Sequence, residues 1–157
     1  MDWILFAVFF AACCGAAVTG GAFPPGDWYD RLDKPSWTPP NWLFPVAWTA
    51  LYIALAVAGA RLAPLEGSAL AMAFWAMQIA WNALWTPIFF GLRKLGAALA
   101  ALGVLWIAVA GLLWAAWPLD RLSFWILTPY LVWVSYAGAL NLSIWLRNRD
   151  TVGDAVA

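Results

Sequence analysis

The sequence predicts an all-α integral membrane protein, a bundle of five transmembrane helices with one long loop between helices 1 and 2. Of its 157 residues, 66% are hydrophobic and only 10% are charged, and the mean hydropathy is +0.80. Soluble domains are about one quarter charged, so this composition is typical of a membrane protein. The charges are also unevenly placed, because five segments of 24 to 26 residues contain no Asp, Glu, Lys or Arg. Each segment is long enough to cross a hydrocarbon layer about 30 Å thick as a helix, the structure that satisfies its own backbone in lipid.

The five predicted helices follow these uncharged segments in order and form a single membrane domain, residues 1–157. We do not expect the first segment to be a cleaved signal peptide, because Met1, Asp2 and Trp3 carry no basic charge and the apolar run is too long. The predicted helices are 3–23, 42–61, 67–90, 95–116 and 121–147; the lid loop is 24–41 and the polar tail is 148–157.

A polar and aromatic stripe runs along the third predicted helix. Trp75, Gln78, Asn82 and Trp85 follow one another at steps of three, four and three residues, which places them on one helix face. Side-chain amides in hydrocarbon need partners inside the bundle. Two interpretations stay open: the amides join helices through hydrogen bonds, or they contact a ligand in a cavity.

Aromatic side chains also follow one face of the second and fifth predicted helices. The sequence contains 14 tryptophans, more than the two membrane interfaces alone require. Stacked indoles suit a large, flat, apolar ligand with a polar edge. The residues that form these two faces are Trp48, Tyr52, Tyr130, Trp133, Ala137 and Asn141.

The long loop continues into the second helix through a stretch rich in proline and tryptophan, KPSWTPPNWLFPVAW, at residues 34–48. Prolines stiffen a loop and reduce the entropy that it loses on ordering. We therefore expect the loop to act as a lid that carries Trp28 and Trp37 over a cavity mouth. The alternative is that this stretch only anchors the chain at the membrane interface.

The residue types present exclude several kinds of chemistry. The sequence contains no histidine, so catalytic triads that depend on His and the usual proximal ligand of haem are excluded, and we predict no metal site. Cys13 and Cys14 are expected to act as small hydrophobic residues. The formal net charge is zero, so no nucleic-acid partner is expected, and no nucleotide-binding motif or obligatory cofactor is indicated.

The basic residues predict how the chain lies in the membrane. With five spans, one side carries Arg61 and Arg121, and the other carries the remaining six basic residues. This difference predicts a non-cytoplasmic N-terminus and a cytoplasmic C-terminus, and leaves inner and outer membranes both open. The six residues are Arg31, Lys34, Arg93, Lys94, Arg147 and Arg149.

Small residues recur at four-residue steps in the first and fourth predicted helices. Examples are Ala7, Ala11 and Gly15 in the first, and Gly96 and Ala100 in the fourth. Small residues at this spacing allow helix backbones to approach closely in lipid. They predict close packing inside the bundle and a homodimer face.

Five motifs resemble one family, the tryptophan-rich sensory proteins, also called the translocator protein or peripheral-type benzodiazepine receptor family. The motifs are WYDRLDKPSWTPPNW in the loop, FPVAWTALY, WNALWTPIFFGLRKLG, PYLVW and ALN, and they follow the family's order over nearly the whole chain. The resemblance implies a five-helix bundle, commonly dimeric, that binds porphyrins such as protoporphyrin IX and haem. It also implies binding of isoquinoline and benzodiazepine-type ligands in a pocket closed by the first loop.

The resemblance also assigns roles to individual residues. Trp28 and Trp133 match two tryptophans linked in the family to light-dependent porphyrin breakdown. Three functions follow as alternatives: a porphyrin sensor or receptor that regulates tetrapyrrole or stress metabolism, a photo-oxidative porphyrin-degrading enzyme, and a tetrapyrrole or sterol transporter. The ligand-binding positions implied by the family, with Trp37 added from the lid argument, are Trp28, Trp37, Trp48, Tyr52, Asn82, Trp85, Trp133 and Ala137.

One segment departs from the family pattern. Animal members have a cholesterol motif in the fifth helix, in which a Tyr precedes a basic residue. Here the stretch reads LNLSIWLR, with Leu142 in place of the Tyr and Arg147 retained. Cholesterol binding is therefore not expected, and the motif is weak even when it is intact.

Overall fold

The computed structural model describes residues 1–153, and the side chains of residues 1–149. This part of the chain is helical and contains no strand. Connections of three to six residues separate most helices, and a long segment after the first helix carries a short second helix. The helices are α1 Trp3–Ala22, α2 Asp27–Asp30, α3 Leu43–Leu62, α4 Ala69–Thr86, α5 Leu95–Ala116 and α6 Arg121–Gly153, and a π-helical turn Pro87–Gly91 extends α4.

Four of these helices are long and apolar enough to cross a membrane: α1, α3, α5 and residues Arg121–Arg149 of α6. They indicate an integral, multi-pass membrane protein. The helix α4 contains Gln78 and Asn82, which lower its mean hydropathy. The prediction of an all-helical membrane protein is thus confirmed, whereas the fifth span stays a prediction.

Two helix ends differ from the predicted ones. The helix α4 gives way to the π-helical turn at Pro87, which has no backbone N–H to donate, and the N–H of Leu92 then bonds to the carbonyl of Pro87 at 2.8 Å. The helix α6 continues past residue 147 to Gly153, so residues 148–153 of the predicted polar tail are helical. No proline or glycine interrupts this stretch before Gly153. Residues 154–157 of the predicted tail lie outside the described residues.

Glycines in two helices allow aromatic rings of neighbouring helices to lie directly on the backbone. A Cβ atom added at Gly111 of α5 would lie 2.5 Å from the Phe74 ring of α4. A Cβ added at Gly59 of α3 would lie 2.7 Å from the Phe9 ring of α1. Close packing at glycines therefore occurs between α4 and α5 and between α1 and α3. Of the glycines singled out in the sequence, Gly96 lies against the Trp145 ring, whereas a Cβ added at Gly15 would meet nothing within 4 Å.

An ion pair joins α3 to the start of α6 at the end of the bundle that contains the N-terminus. Arg61 donates two hydrogen bonds to the Asp120 carboxylate, at 2.7 and 3.0 Å, and Ser123 Oγ donates a third at 2.5 Å. The hydrogen bonds from Arg61, with those from Ser123, lower the pKa of Asp120. Because a lowered pKa keeps the carboxylate charged, this contact stabilises the fold at neutral pH, and its contribution decreases as the pH falls below the usual pKa of an Asp carboxyl.

Candidate functional site

A chain of hydrogen bonds links α3, α4 and α6 in the centre of the bundle. Tyr52 Oη donates to Asn82 Oδ1 at 2.8 Å, and Asn82 Nδ2 donates to Tyr130 Oη at 2.9 Å. The hydroxyl of Tyr130 in turn donates to Gln78 Oε1 at 2.9 Å. The interpretation of these amides as interhelical partners is therefore confirmed. We call these four residues the polar chain.

The two tryptophans of the α4 stripe also donate hydrogen bonds to neighbouring helices. Trp75 Nε1 donates to the carbonyl of Leu55 in α3 at 3.1 Å. Trp85 Nε1 donates to Asn141 Oδ1 in α6 at 3.2 Å, and Asn141 Nδ2 donates to the carbonyl of Leu95 in α5 at 3.0 Å. Every polar position of the stripe thus holds helices together.

Two buried N–H groups have no hydrogen-bond acceptor among the residues that the structure describes. They are Nε2 of Gln78, whose side chain is fully buried, and Nε1 of Trp133. A buried donor without an acceptor costs about 1–3 kcal/mol, so it marks a place where a bound polar atom would be stabilising.

Aromatic rings surround Trp133 on the face of α6 toward the long loop. The centroid of its ring lies 5.9 Å from Phe44 and 6.0 Å from Tyr136. Tyr136 in turn packs edge-on against Trp37 at 5.5 Å. Deeper in the bundle, the Trp48 ring lies 5.5 Å from Tyr52 and 6.1 Å from Tyr130, so aromatic packing reaches the polar chain.

A second set of rings lies where α2 meets the end of α4. Phe89 is at its centre, with ring centroids 5.1 Å from Trp85, 4.7 Å from Phe90, 6.0 Å from Trp28 and 6.2 Å from Tyr29. We call these five residues the loop cluster. Trp85 belongs to the loop cluster and also packs against the main core, so it connects the two regions.

Polar contacts fasten the long loop to α6. The backbone N–H of Asp33 donates to Asn148 Oδ1 at 3.0 Å, and Asn148 Nδ2 donates to the carbonyl of Asp33 at 2.9 Å. Tyr136 Oη donates to the carbonyl of Trp37 at 2.7 Å. Arg147 and Asp33 form an exposed ion pair at 3.4 Å, which contributes little by itself. The loop therefore lies against the face of α6 that carries Trp133.

The structure brings together most of the residues predicted to bind a ligand. Trp48, Tyr52, Trp85, Trp133 and Ala137 all pack against the main core, and Asn82 is buried among them. Trp28 instead packs in the loop cluster, and no ring contact joins it to Trp133 among the described residues. Trp37 is 45% exposed and lies at the edge. Their roles in binding stay predictions.

Two cavities lie at opposite ends of the bundle. One, of about 270 Å³, lies beside the loop cluster and is lined by Trp28, Arg31, Phe90 and Arg93, among others. The other, of about 490 Å³, lies at the end that contains Arg61 and Asp120 and is lined by apolar residues such as Trp114 and Trp117. Apart from Trp28, no residue predicted to bind a ligand lines either cavity.

Sequence reasoning missed several residues that shape this region. Phe89 and Phe90 lie within the motif WNALWTPIFFGLRKLG, but nothing in their spacing distinguishes them from lipid-facing residues. Asn148 was placed in the tail, since an amide near a chain end carries no signal of a partner 115 residues away. Arg31 and Arg93 were used only to predict orientation. Among the described residues, no three His, Cys, Asp or Glu side chains lie close enough together to hold a metal ion.

Comparison with known proteins decides the family. The profile of the TspO/MBR family matches residues 4–146, nearly the whole described chain. The chain belongs to the TspO/MBR family. This finding agrees with the resemblance of the five motifs and, with the four apolar helices, makes the chain an integral multi-pass membrane protein of this family.

Relatives of this TspO/MBR chain come from bacteria and from animals. It is 51% identical over 152 residues to Protein CrtK of Rhodobacter capsulatus. This alignment covers 94% of this chain and 95% of the relative. It is 49% identical over 141 residues to the tryptophan-rich sensory protein of Cereibacter sphaeroides, in an alignment that covers 90% of this chain and 89% of the relative. It is 31% identical over 159 residues to the human translocator protein, covering 96% and 94%.

Proposed function

We propose that this TspO/MBR chain is a membrane receptor that binds porphyrins, such as protoporphyrin IX and haem, in the aromatic region between α3, α4 and α6. Through this binding it regulates tetrapyrrole or stress metabolism. Porphyrin or haem is a ligand here and not an obligatory cofactor. Since the sequence has no histidine, haem would be held by its ring and its edge groups rather than by an imidazole on the iron.

The observation that carries this proposal is the buried indole N–H of Trp133. It has no acceptor among the described residues, and its ring packs against those of Phe44 and Tyr136, with centroids 5.9 and 6.0 Å away. A flat aromatic molecule with polar atoms at its edge would stack on these rings and accept the free hydrogen bond. Ala137, four residues further along α6, adds little bulk on the same face. The loop that lies over this face would have to lift for a ligand to enter.

Titration of the purified protein with protoporphyrin IX tests the proposal. We expect saturable quenching of tryptophan fluorescence and, for Trp133→Phe, an affinity about fivefold weaker, because one hydrogen bond of about 1 kcal/mol is lost while stacking is kept. Trp114→Phe is the matched control, since Trp114 is 69% exposed at the opposite end. Quenching that never saturates would exclude porphyrin binding. Equal affinity in Trp133→Phe would remove Trp133 from the site.

A second candidate function is light-dependent breakdown of the porphyrin by Trp28 and Trp133. Both indoles are half-buried, so part of each ring stays accessible to a bound porphyrin. Illumination of the same titration samples separates the two functions. An enzyme would bleach the porphyrin and lose this activity in the double variant Trp28→Phe, Trp133→Phe, whereas a receptor would leave the porphyrin intact. Transport of a tetrapyrrole or sterol would instead appear as flux across sealed vesicles in darkness.

We extend the proposal to the arrangement in the membrane. All five long helices would span the bilayer, with the loop end and the C-terminus in the cytoplasm, because six of the eight Lys and Arg residues lie on that side. A second copy would pack on α1, of which only Cys13 and Ala16 are buried in one chain. Cross-linking of the exposed Cys14 in native membranes tests this dimer. The dimer would be contradicted if the protein stayed monomeric under all oxidising conditions and a Cys introduced at Ala11 also failed to cross-link.

A further inference from the structure

Two arginines line the cavity beside the loop cluster, and neither is neutralised by an ion pair. The cavity of about 270 Å³ is lined by Arg31 and Arg93, by the Asp27 carboxylate, and by the rings of Trp28 and Phe90. Neither guanidinium forms an ion pair with any residue that the structure describes. Two positive charges and one negative charge leave this cavity with a formal charge of +1.

Arg93 occupies a backbone conformation that arginine rarely adopts. Its φ is 57°, in the left-handed region, and it is the only non-glycine residue with positive φ in residues 1–153. Helices commonly end on such a residue, but glycine is the usual choice because a side chain is sterically disfavoured in this conformation. The guanidinium lies 5.8 Å from the centre of the Trp28 ring, a cation–π distance that directs it toward the cavity. The strained position thus holds a cation where glycine would serve the backbone better.

The cavity is the right size for an acidic group and too small for a whole tetrapyrrole. Pockets that enclose complete small molecules have volumes of about 300–1,000 Å³. Guanidinium groups bind carboxylate and phosphate oxygens in pairs of parallel hydrogen bonds. Through the loop cluster, the aromatic rings continue from this cavity to Trp85 at the edge of the main core. An apolar ligand body could therefore lie against these rings while its acidic arm enters the cavity.

We propose that Arg31 and Arg93 form an anion subsite, which takes the carboxylate or phosphate oxygens of an amphipathic ligand whose apolar body packs against Trp28 and Phe90. The inference rests on the proposed function where the ligand is a porphyrin, whose acidic side chains supply the carboxylates. The same chemistry is offered by the headgroup of an anionic lipid. The subsite adds affinity through charge, separately from the stacking and the Trp133 hydrogen bond.

The test compares protoporphyrin IX with its dimethyl ester, which has the same ring but no carboxylate. Both are titrated against the full chain in nanodiscs of phosphatidylcholine, using the wild type, Arg31→Gln, Arg93→Gln and Arg93→Gly. We expect each variant to bind the acid about fivefold to tenfold more weakly and to bind the ester as the wild type does. Arg93→Gly is included because it removes the guanidinium while relieving the backbone strain, so a folding defect does not explain its loss. Arg121→Gln, a cation stacked on Trp117 at the opposite end, is the matched control.

A second set of nanodiscs, containing phosphatidylglycerol, distinguishes the two sources of the anion. Competition by this lipid with the acid in the wild type, but not in Arg31→Gln or Arg93→Gly, would identify a lipid phosphate as an occupant of the subsite. If neither porphyrin binds but phosphatidylglycerol raises the Tm of the wild type more than that of these variants, the subsite stands and the porphyrin function fails. Equal affinity of all variants for the acid, with no lipid-dependent difference in either assay, would overturn the subsite. It would do so even if both porphyrins bind.

Discussion

Replacing Tyr130 by phenylalanine is expected to destabilise the folded protein by about 1–3 kcal/mol. The hydroxyl of Tyr130 is the central link of the polar chain, because it accepts from Asn82 and donates to Gln78. Its removal leaves Asn82 Nδ2 and Gln78 Oε1 without these bonds, and Gln78 Nε2 already has no acceptor among the described residues. Single hydrogen bonds between membrane helices average about 0.6 kcal/mol, so the loss of two, with a fully buried amide left behind, accounts for a cost in the expected range.

Tyr52→Phe is the matched control for this variant. Tyr52 is at the end of the polar chain and gives up a single bond, to Asn82. We expect thermal unfolding in detergent, followed by circular dichroism, to show a Tm lowered at least twice as much by Tyr130→Phe as by Tyr52→Phe. Equal Tm values for the two variants would show that the central position of Tyr130 in the polar chain adds no extra stability.

Gly111→Ala is expected to have an effect of similar size for a different reason. The added Cβ would lie 2.5 and 2.6 Å from two atoms of the Phe74 ring, so α4 and α5 would have to separate or the ring would have to turn. Overpacking of this kind typically costs about 1–3 kcal/mol. The helix α4 carries Gln78 and Asn82 of the polar chain, and Trp85, so the displacement would also reach the candidate site.

Gly103→Ala provides the control in the same helix. A Cβ at Gly103 meets nothing within 4 Å, and alanine is the better helix former by up to about 1 kcal/mol. The two identical substitutions should therefore move the Tm in opposite directions, and the porphyrin affinity should fall only in Gly111→Ala. A Tm for Gly111→Ala at or above that of the wild type would mean that the Phe74 ring moves aside without cost.

Uncharged segments predicted the helices well because the requirement to satisfy the backbone in lipid acts on every residue of a span. The placement of Gln78 and Asn82 on one inward face could be predicted from the sequence for the same reason, since an amide in hydrocarbon must turn toward partners. The identity of those partners could not be read. Tyr130 lies 52 residues from Gln78, and only the packing of α6 against α4 selects it from the other polar groups of the bundle.

The candidate site was predicted in part. The spacing of aromatic residues located Trp48, Tyr52 and Trp133 on faces that do pack around the core. It could not show that α4 ends in a π-helical turn, which depends on how Pro87 shifts the hydrogen bonds that follow it. That turn places Phe89 against Trp28, and Arg93 then follows in the left-handed conformation beside the same ring.

The pairing of Asp33 with Asn148 changes the conformational entropy of the long loop. Both backbone groups of Asp33 are held by one amide, which fixes the loop near its midpoint to α6. This contact divides the loop into two shorter segments, residues 23–33 and 33–42. Each halving of a flexible loop lowers the entropic cost of closing it by only about 0.6 kcal/mol. The part that carries Trp37 is held to α6 a second time through Tyr136, whereas the part that carries Trp28 is held by ring packing in the loop cluster. The two parts of the loop are therefore attached differently, one by a further hydrogen bond to α6 and the other by the packing of aromatic rings.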